Sequence, residues 1–250
     1  MRKRRAAGSY FPYEPRDKQE EFISYIRREL ADGSSIAVCA PTGFGKTPAI
    51  LAGLLPQALK QRRKIIWAVR TGTETDRPIE ELKQINSAAQ LELFGLSYRG
   101  KKDMCLLLRD LKLEADFDDV SFLCKTKERE CKYNLNYQNY ELQPELFKSP
   151  RLYSEILQYC EAREICPYRL QSDLLAFAAV VALNYNYVID EAISWAMRRK
   201  IDYSGSFLVV DEAHNLQAAC SNLNSSEISL GTVKHALKEI ARFNLSLIHI

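Results

Sequence analysis

No apolar stretch in this sequence approaches the roughly 18 residues that a membrane-spanning helix needs, and the opening MRKRR runs into Ala-Ala-Gly-Ser-Tyr instead of a hydrophobic signal core. The expectation is therefore a soluble intracellular protein, cytoplasmic and nucleoid-associated in a prokaryote or nuclear in a eukaryote, with no membrane partner. Internal repeats and low-complexity tracts are missing as well. The seven cysteines (39, 105, 124, 131, 160, 166 and 220) are odd in number and unevenly spaced, and the chain has no export signal, so structural disulfides are not expected. What remains is ordinary globular composition: 250 residues, 46% hydrophobic and 27% charged, enough for one large domain or two small ones and too apolar for disorder.

Net charge is only +3, but its distribution is uneven: residues 1–70 hold fourteen Lys/Arg against six Asp/Glu, and the rest is net acidic. A basic front of this kind suits phosphates or simply a solvated face. Phe22, Ile23, Ile26 and Leu30 repeat at helical spacing, and a turn at 31–35 leads to an apolar run, Ile36–Ala40, that predicts a buried strand. A glycine-containing loop follows, then apolar residues 49–59 for a helix and a second strand at Ile65–Val69. Asp76 and Pro78 open a further helix with Ile79, Leu82 and Ile85 on one face. Strand signals vanish over residues 98–169 and resume at Ala176–Leu183 and Phe207–Val210. Alternating strands and helices predict a parallel α/β sheet with an insertion.

The loop reads Pro41-Thr42-Gly43-Phe44-Gly45-Lys46-Thr47, between a predicted strand and a predicted helix. In that context glycines let backbone N–H groups close around phosphate oxygens, Lys46 charges the terminal phosphates and Thr47 is a ligand for Mg2+. Ala40 stands where the general pattern has Gly, a variant at home in helicases. The partner half is Asp211-Glu212-Ala213-His214 after the strand at 207–210. Asp211 is expected to hold Mg2+ and Glu212 to orient or deprotonate the attacking water, which makes Lys46, Asp211 and Glu212 the catalytic set. His214 either couples the nucleotide site to nucleic acid or satisfies a local hydrogen bond.

Cys105, Cys124, Cys131 and Cys166 fall within the insertion at gaps of 19, 7 and 35 residues, without the close pairs typical of zinc sites. Wide gaps fit ligands drawn from separate segments, and Pro167 after Cys166 resembles the end of some ferredoxin patterns, favouring a 4Fe-4S cluster. Cys160 competes for the fourth place. With Ser149 as cap and Pro150 starting a helix, however, Leu152, Ile156 and Cys160 share a face, which makes Cys160 a small hydrophobe.

Together these residues resemble the iron-sulfur superfamily 2 DNA helicases of the XPD and DinG kind, above all the archaeal XPD-like proteins. Residues 40–47 look like helicase motif I, Val69-Arg70-Thr71 like motif Ia and Val210–Asn215 like motif II, a DEAH box. Gly95–Cys105 and Cys166-Pro167-Tyr168 look like the family's first and last cluster ligands with their flanks, and Phe11–Arg16 with Gln19 is similar to the segment that approaches adenine. The resemblance implies a RecA-like P-loop NTPase domain at 1–97 and 170–220, a mainly helical 4Fe-4S domain inserted at 98–169, and the start of an arch domain at 221–250. It implies ATP and Mg2+ as cofactors, ATP-driven 5'-3' movement on single-stranded DNA, and possible phosphate contacts at Arg70, Thr71, Arg99 and Lys102. Nothing after His214 resembles later helicase motifs, so a second RecA-like domain is an implied partner, and the chain alone is expected to bind ATP-Mg2+ weakly, to be incomplete for turnover and to unwind nothing. Two other readings stay open: a zinc-stabilised P-loop ATPase, and a non-catalytic nucleotide- and DNA-binding fragment.

Overall fold

The computed structural model describes residues 10–113 and 117–223, together with positions 225, 233, 234, 237, 238 and 240. The basic residues 2–5 and most of the expected arch segment lie outside the described residues. The chain forms two compact units, residues 1–213 and 214–250.

In the first unit α1 (Gln19–Ala31) and α2 (Lys46–Gln61) precede β1 (Ile65–Val69), and α3 (Asp76–Ala89) leads to β2 (Gly95–Ser97). Six helices then run before the sheet resumes: α4 (Lys101–Met104), α5 (Leu106–Asp110), α6 (Phe117–Thr126), α7 (Lys132–Gln138), α8 (Tyr153–Glu161) and α9 (Pro167–Leu174). After β3 (Val180–Asn184) come α10 (Asn186–Ile189), α11 (Glu191–Arg198) and β4 (Phe207–Val210). The second unit contains α12 (Leu216–Leu223).

The four strands form one parallel sheet in the order β2-β3-β1-β4, with Ile65 facing Val180 on one side and Phe207 on the other. This is an α/β fold of the RecA-like type. β1 is buried at all five positions, which is why Ile-Ile-Trp-Ala-Val reads as a continuous apolar run instead of an alternating one. Leu51, Leu54, Leu55 and Ala58 of α2 and Ile79, Leu82 and Ile85 of α3 meet Ile65, Trp67, Val69, Val180 and Ala182 in one core. Each such side chain contributes about 1.5–3 kcal/mol by leaving water. Residues 98–169 run from β2 back toward β3, its immediate neighbour in the sheet, so the insertion leaves and returns beside adjacent strands. Its described residues are mainly helical.

Two unusual devices fix the helices next to the site. Pro56 inside α2 has no N–H to give the carbonyl of Ala52, and Arg27 of α1 supplies the donor instead, its guanidinium 3.0 Å from that oxygen. At Gly53 a Cβ would stand 2.7 Å from the Ile26 side chain, so the two helices approach as closely as only glycine allows. Elsewhere, Lys64 donates to the carbonyls of Leu175, Ala176 and Ala178 at 3.0, 2.8 and 2.7 Å, capping the turn that follows α9. Burial lowers its pKa.

Several sequence expectations need correction. Ile36–Ala40 is not a strand: it has no ladder partner among the described residues, and Val38 and Cys39 are exposed. An apolar run records a need for cover without ensuring that a neighbour is present to pair with it. β4 is accordingly an edge strand, and its Leu208 is 46% exposed. Ser149 and Pro150 do not open α8. Arg151 stays extended because its N–H donates to Gly95 and its carbonyl accepts from Ser97, so the helix starts at Tyr153, after the Leu152 N–H is capped by Glu155 at 2.8 Å. Residues 176–178 form the turn held by Lys64, and β3 begins only at Val180. The three-residue strand β2 carried too short a pattern to be read.

Candidate nucleotide site and cysteine cavity

The loop at 41–47 takes its shape from two glycines in the left-handed region, Gly43 at φ 78° and Gly45 at φ 80°. At Gly45 a side chain is excluded twice over, because its Cβ would also lie 2.9 Å from Nε2 of Gln19. Gln19 is buried; its amide donates to the carbonyl of Phe44 at 2.5 Å and accepts from the N–H of Arg16 at 2.7 Å. The Arg16 guanidinium donates to the carbonyl of Gly43 at 2.9 Å, and Phe44 packs edge-on against Phe22, 5.3 Å between ring centres. Gln19, expected near adenine, is thus engaged with the phosphate loop itself. Thr42 and Gly43 are exposed, and α2 begins at Lys46, so Lys46 and Thr47 stand at the helix N-terminus where an anion is favoured.

At the carboxyl end of β4 the Asp211 N–H makes the last ladder bond, to Ala68 at 2.9 Å, and the chain then turns out of the sheet with Glu212 at φ 49°. The indole N–H of Trp67 donates to one oxygen of Asp211 at 3.3 Å, and the other accepts from the Glu212 N–H at 3.0 Å. Glu212 reaches the phosphate loop: its Oε1 lies 2.9 Å from Nζ of Lys46. That hydrogen bond raises the Lys46 pKa against the opposing pull of partial burial. The structure therefore joins Lys46, Asp211 and Glu212, with Thr47 one residue along, although 165 residues separate the loop from the carboxylates. Ligands of parallel sheets sit beyond the carboxyl ends of the strands, where these groups converge. Within the second unit, the side chains of His214 and Asn215 are 3.0 Å apart.

The four expected cluster ligands line one cavity of about 350 Å³, with Tyr133, Tyr137 and Tyr168 among its other walls. Cys105, Cys131 and Cys166 precede α5, α7 and α9 in nearly the same extended conformation, and Cys124 lies on α6. Burial raises the thiol pKa of Cys105, while the N–H groups of Leu108 and Leu107 oppose the rise. Burial likewise pushes Cys166 up to about 11, against the N–H groups of Arg169 and Tyr168. Cys160 is fully buried and does not line this cavity, and burial raises its pKa well above the ordinary thiol value, with the nearby Cys166 adding to the rise. Among the described residues no three His, Cys, Asp or Glu side chains converge closely enough to grip a single metal ion.

Of the residues expected to meet nucleic acid, Arg70 is largely exposed and loosely paired with Glu74 at 3.6 Å, and the hydroxyl of Thr71 lies 2.8 Å from that of Thr73. Lys102 is exposed on α4. Arg99 is different: it is 7% exposed, stacks over the Tyr153 ring at 4.2 Å and pairs with Asp76 at 3.7 Å. Here it braces the base of the insertion, with its charge turned away from any phosphate in solution. Its position beside Lys101 and the exposed Lys102 concealed that in the sequence. Of two further residues at the carboxylates, Trp67 was legible only as part of a buried strand, and Tyr185, one residue past β3, was not singled out.

A glycine loop opening a helix, a carboxylate pair at the end of a neighbouring parallel strand and a lysine joining the two define a phosphate-loop protein of RecA-like fold. Residues 67–233 match the DEAD_2 family, and the chain belongs to it. It is 25% identical to the Saccharomyces cerevisiae general transcription and DNA repair factor IIH helicase subunit XPD/RAD3, over 91% of this chain and 32% of that protein. With the corresponding XPD subunit of Dictyostelium discoideum it shares 26% identity over 94% of this chain and 32% of that one. A regulator of telomere elongation helicase 1 homolog of Drosophila mojavensis is 23% identical over 92% and 27% of the two chains. A solved XPD helicase structure matches 82% of this chain and 34% of its own, with a TM-score of 0.55 and 25% identity. The chain thus resembles the N-terminal portion of an XPD-like superfamily 2 helicase and spans about a third of the length of the curated relatives it matches. Among the described residues no helix is long and apolar enough to cross a membrane.

Proposed function

We propose that this chain is the nucleotide-gripping motor portion of an ATP-dependent DNA helicase of the 5'-3' kind, carrying a 4Fe-4S cluster in its insertion. The observation that carries the reading is the 2.9 Å pair between Lys46 and Glu212, which unites the phosphate loop with the hydrolytic carboxylate. The backbone N–H groups of residues 43–47 would surround the phosphates and the Lys46 ammonium would meet the terminal ones, leaving Glu212 to take a proton from the attacking water. Thr47 and Asp211 would hold Mg2+, which supplies charge neutralisation at the phosphates. Exposed Arg70 and Lys102, with half-buried Thr71 beside Arg70, suit contacts to the backbone of single-stranded DNA. The 5'-3' polarity rests on the family resemblance alone.

For the cluster, the support is that Cys105, Cys124, Cys131 and Cys166 surround one cavity while Cys160 does not line it. A four-iron body wants its thiolates spread around a cavity, wider apart than a single ion does. Their spacing along the chain, without the close pairs of a zinc site, favours iron and sulfur over the zinc reading. Strand separation needs the remainder of the longer relatives, so the chain alone would bind Mg-ATP and unwind nothing.

Two measurements test this. Purified chain should bind ATP in Mg2+ and lose that binding on Lys46→Ala; equal affinity in the two proteins refutes the nucleotide site. Anaerobic purification should give about four irons per chain, with losses on serine substitution at Cys105, Cys124, Cys131 or Cys166 and none at Cys160. Iron-free protein, or iron lost through Cys160→Ser and retained in Cys166→Ser, refutes the cluster assignment.

A further inference from the structure

Tyr185 is the first residue after β3, 1% exposed, and it ties together the carboxyl ends of three strands. Its N–H donates to the carbonyl of Val69 at the end of β1, at 2.8 Å. Its phenol crosses over β1 and donates to the backbone carbonyls of Asp211 and of Glu212, the latter at 3.1 Å, at the end of β4. These two residues leave the sheet through a left-handed turn at Glu212, φ 49°, a conformation that residues other than glycine adopt only where their surroundings impose it. The ladder itself ends one residue earlier, at Asp211 N–H to Ala68. Beyond that bond the direction of both carboxylates depends on how the turn is held, and the Tyr185 hydroxyl holds both of its peptide carbonyls.

We infer that Tyr185 is a positioning residue for the reaction: its hydroxyl fixes the Asp211-Glu212 turn so that Asp211 faces the Mg2+ position and Glu212 faces Lys46. Its hydroxyl acts through the two backbone carbonyls. The inference rests on the nucleotide reading of the site and adds to it a residue outside the glycine loop and the acidic motif. The two residues after Tyr185 lead away from the site. Tyr187 packs edge-on against Tyr98 at 5.1 Å and accepts from the Tyr203 hydroxyl at 2.8 Å through its carbonyl. The backbone that presents the phenol is therefore fixed on both sides.

The test is Tyr185→Phe in the whole chain, which keeps the buried ring and removes only the donor. ATP affinity is measured by calorimetry in excess Mg2+ and in EDTA, with Asp211→Asn as the reference for complete loss of the metal contribution. The glycine loop is untouched, so Tyr185→Phe should match the wild type in EDTA and lose about tenfold of the tightening that Mg2+ provides, the scale seen when a partner behind a metal ligand is removed. Thermal unfolding of the same samples distinguishes positioning from collapse. An equal fall in affinity with and without Mg2+, accompanied by a lowered midpoint, overturns the inference and makes Tyr185 a packing residue. So does a Mg2+ contribution equal to that of the wild type. If the wild type shows no Mg2+ contribution at all, the nucleotide reading itself fails and the inference falls with it.

Discussion

Replacing Arg27 by Met should destabilise the chain, and replacing Pro56 by Ala should remove most of that penalty. The ring nitrogen of Pro56 leaves the carbonyl of Ala52, a fully buried residue, without its helical donor. The Arg27 guanidinium fills the gap at 3.0 Å. A hydrogen bond from a charged donor contributes about 1.5–3 kcal/mol. Against that, Nε of Arg27 is itself buried without a partner, which offsets part of the gain. The net cost of Arg27→Met, which keeps the unbranched stem packed, should be about 1–2 kcal/mol, or a fall of about 2–8 °C in midpoint for a chain of this size.

In Pro56→Ala the new N–H reaches Ala52 along the helix, and the guanidinium becomes dispensable. Pro56→Ala should by itself stabilise the chain, since proline in a helix interior costs about 3 kcal/mol relative to alanine. Urea unfolding of the wild type, both single variants and the double variant gives the coupling. We expect about 1 kcal/mol, the range of residues that share one partner. Equal cost of Arg27→Met in the two backgrounds refutes the exchange of donors and leaves Arg27 as a packing stem.

Three further outcomes follow from the same structure. Glu212→Gln should tighten ATP binding, by at most about fivefold because both partners of the Lys46 pair are partly exposed. The gain should shrink in high salt, and unchanged affinity at low salt contradicts it. In cluster-free chain at pH 8, alkylation followed by mass spectrometry should modify exposed Cys39 first and buried Cys160 last. Cys105 and Cys166 should lag behind Cys39 because burial holds both as thiols, and their rates should climb as pH rises toward the value of about 11 at Cys166; early modification of Cys166 opposes this. Lys64→Met should cost about 2–3 kcal/mol in urea unfolding, since three carbonyls after α9 lose their donor; a loss below the measurement error argues that water replaces it.

Residues whose role depends on their own type and spacing were legible in the sequence. Gly43, Gly45, Lys46 and Thr47 form a loop that opens a helix as their types and spacing predict, although no strand precedes them among the described residues, and Asp211-Glu212 follow an apolar run that does pair in the sheet. Residues whose role depends on a distant neighbour were not. Arg151 stays extended because β2 lies beside it, and no local signal at Ser149-Pro150 announces that. Arg99 reads as one of a row of basic residues, yet Tyr153 and Asp76 enclose it. Ile36–Ala40 has the composition of a buried strand and no partner among the described residues. In the cysteine set, Cys160 is buried and does not line the cavity that Cys105, Cys124, Cys131 and Cys166 share, and the helix start used to argue its face was placed three residues early.

The motif residues also do not hold their own positions. Each half of the candidate site is aimed by side chains outside the glycine loop and the acidic motif: Gln19 and Arg16 grip the carbonyls of the phosphate loop, while Trp67 and Tyr185 grip Asp211 and the turn after it. Loops of left-handed residues are costly to order, so without these contacts the glycines that let the chain approach a phosphate would equally let it wander. Gln19 is the sharpest case, because both ends of its amide are engaged with the loop and the segment before α1. A base that competed for that amide would have to release the loop, so Gln19→Ala should weaken binding of inorganic triphosphate as well as ATP. Weakened ATP with unchanged triphosphate, measured in the same competition assay, would instead assign Gln19 to the base alone.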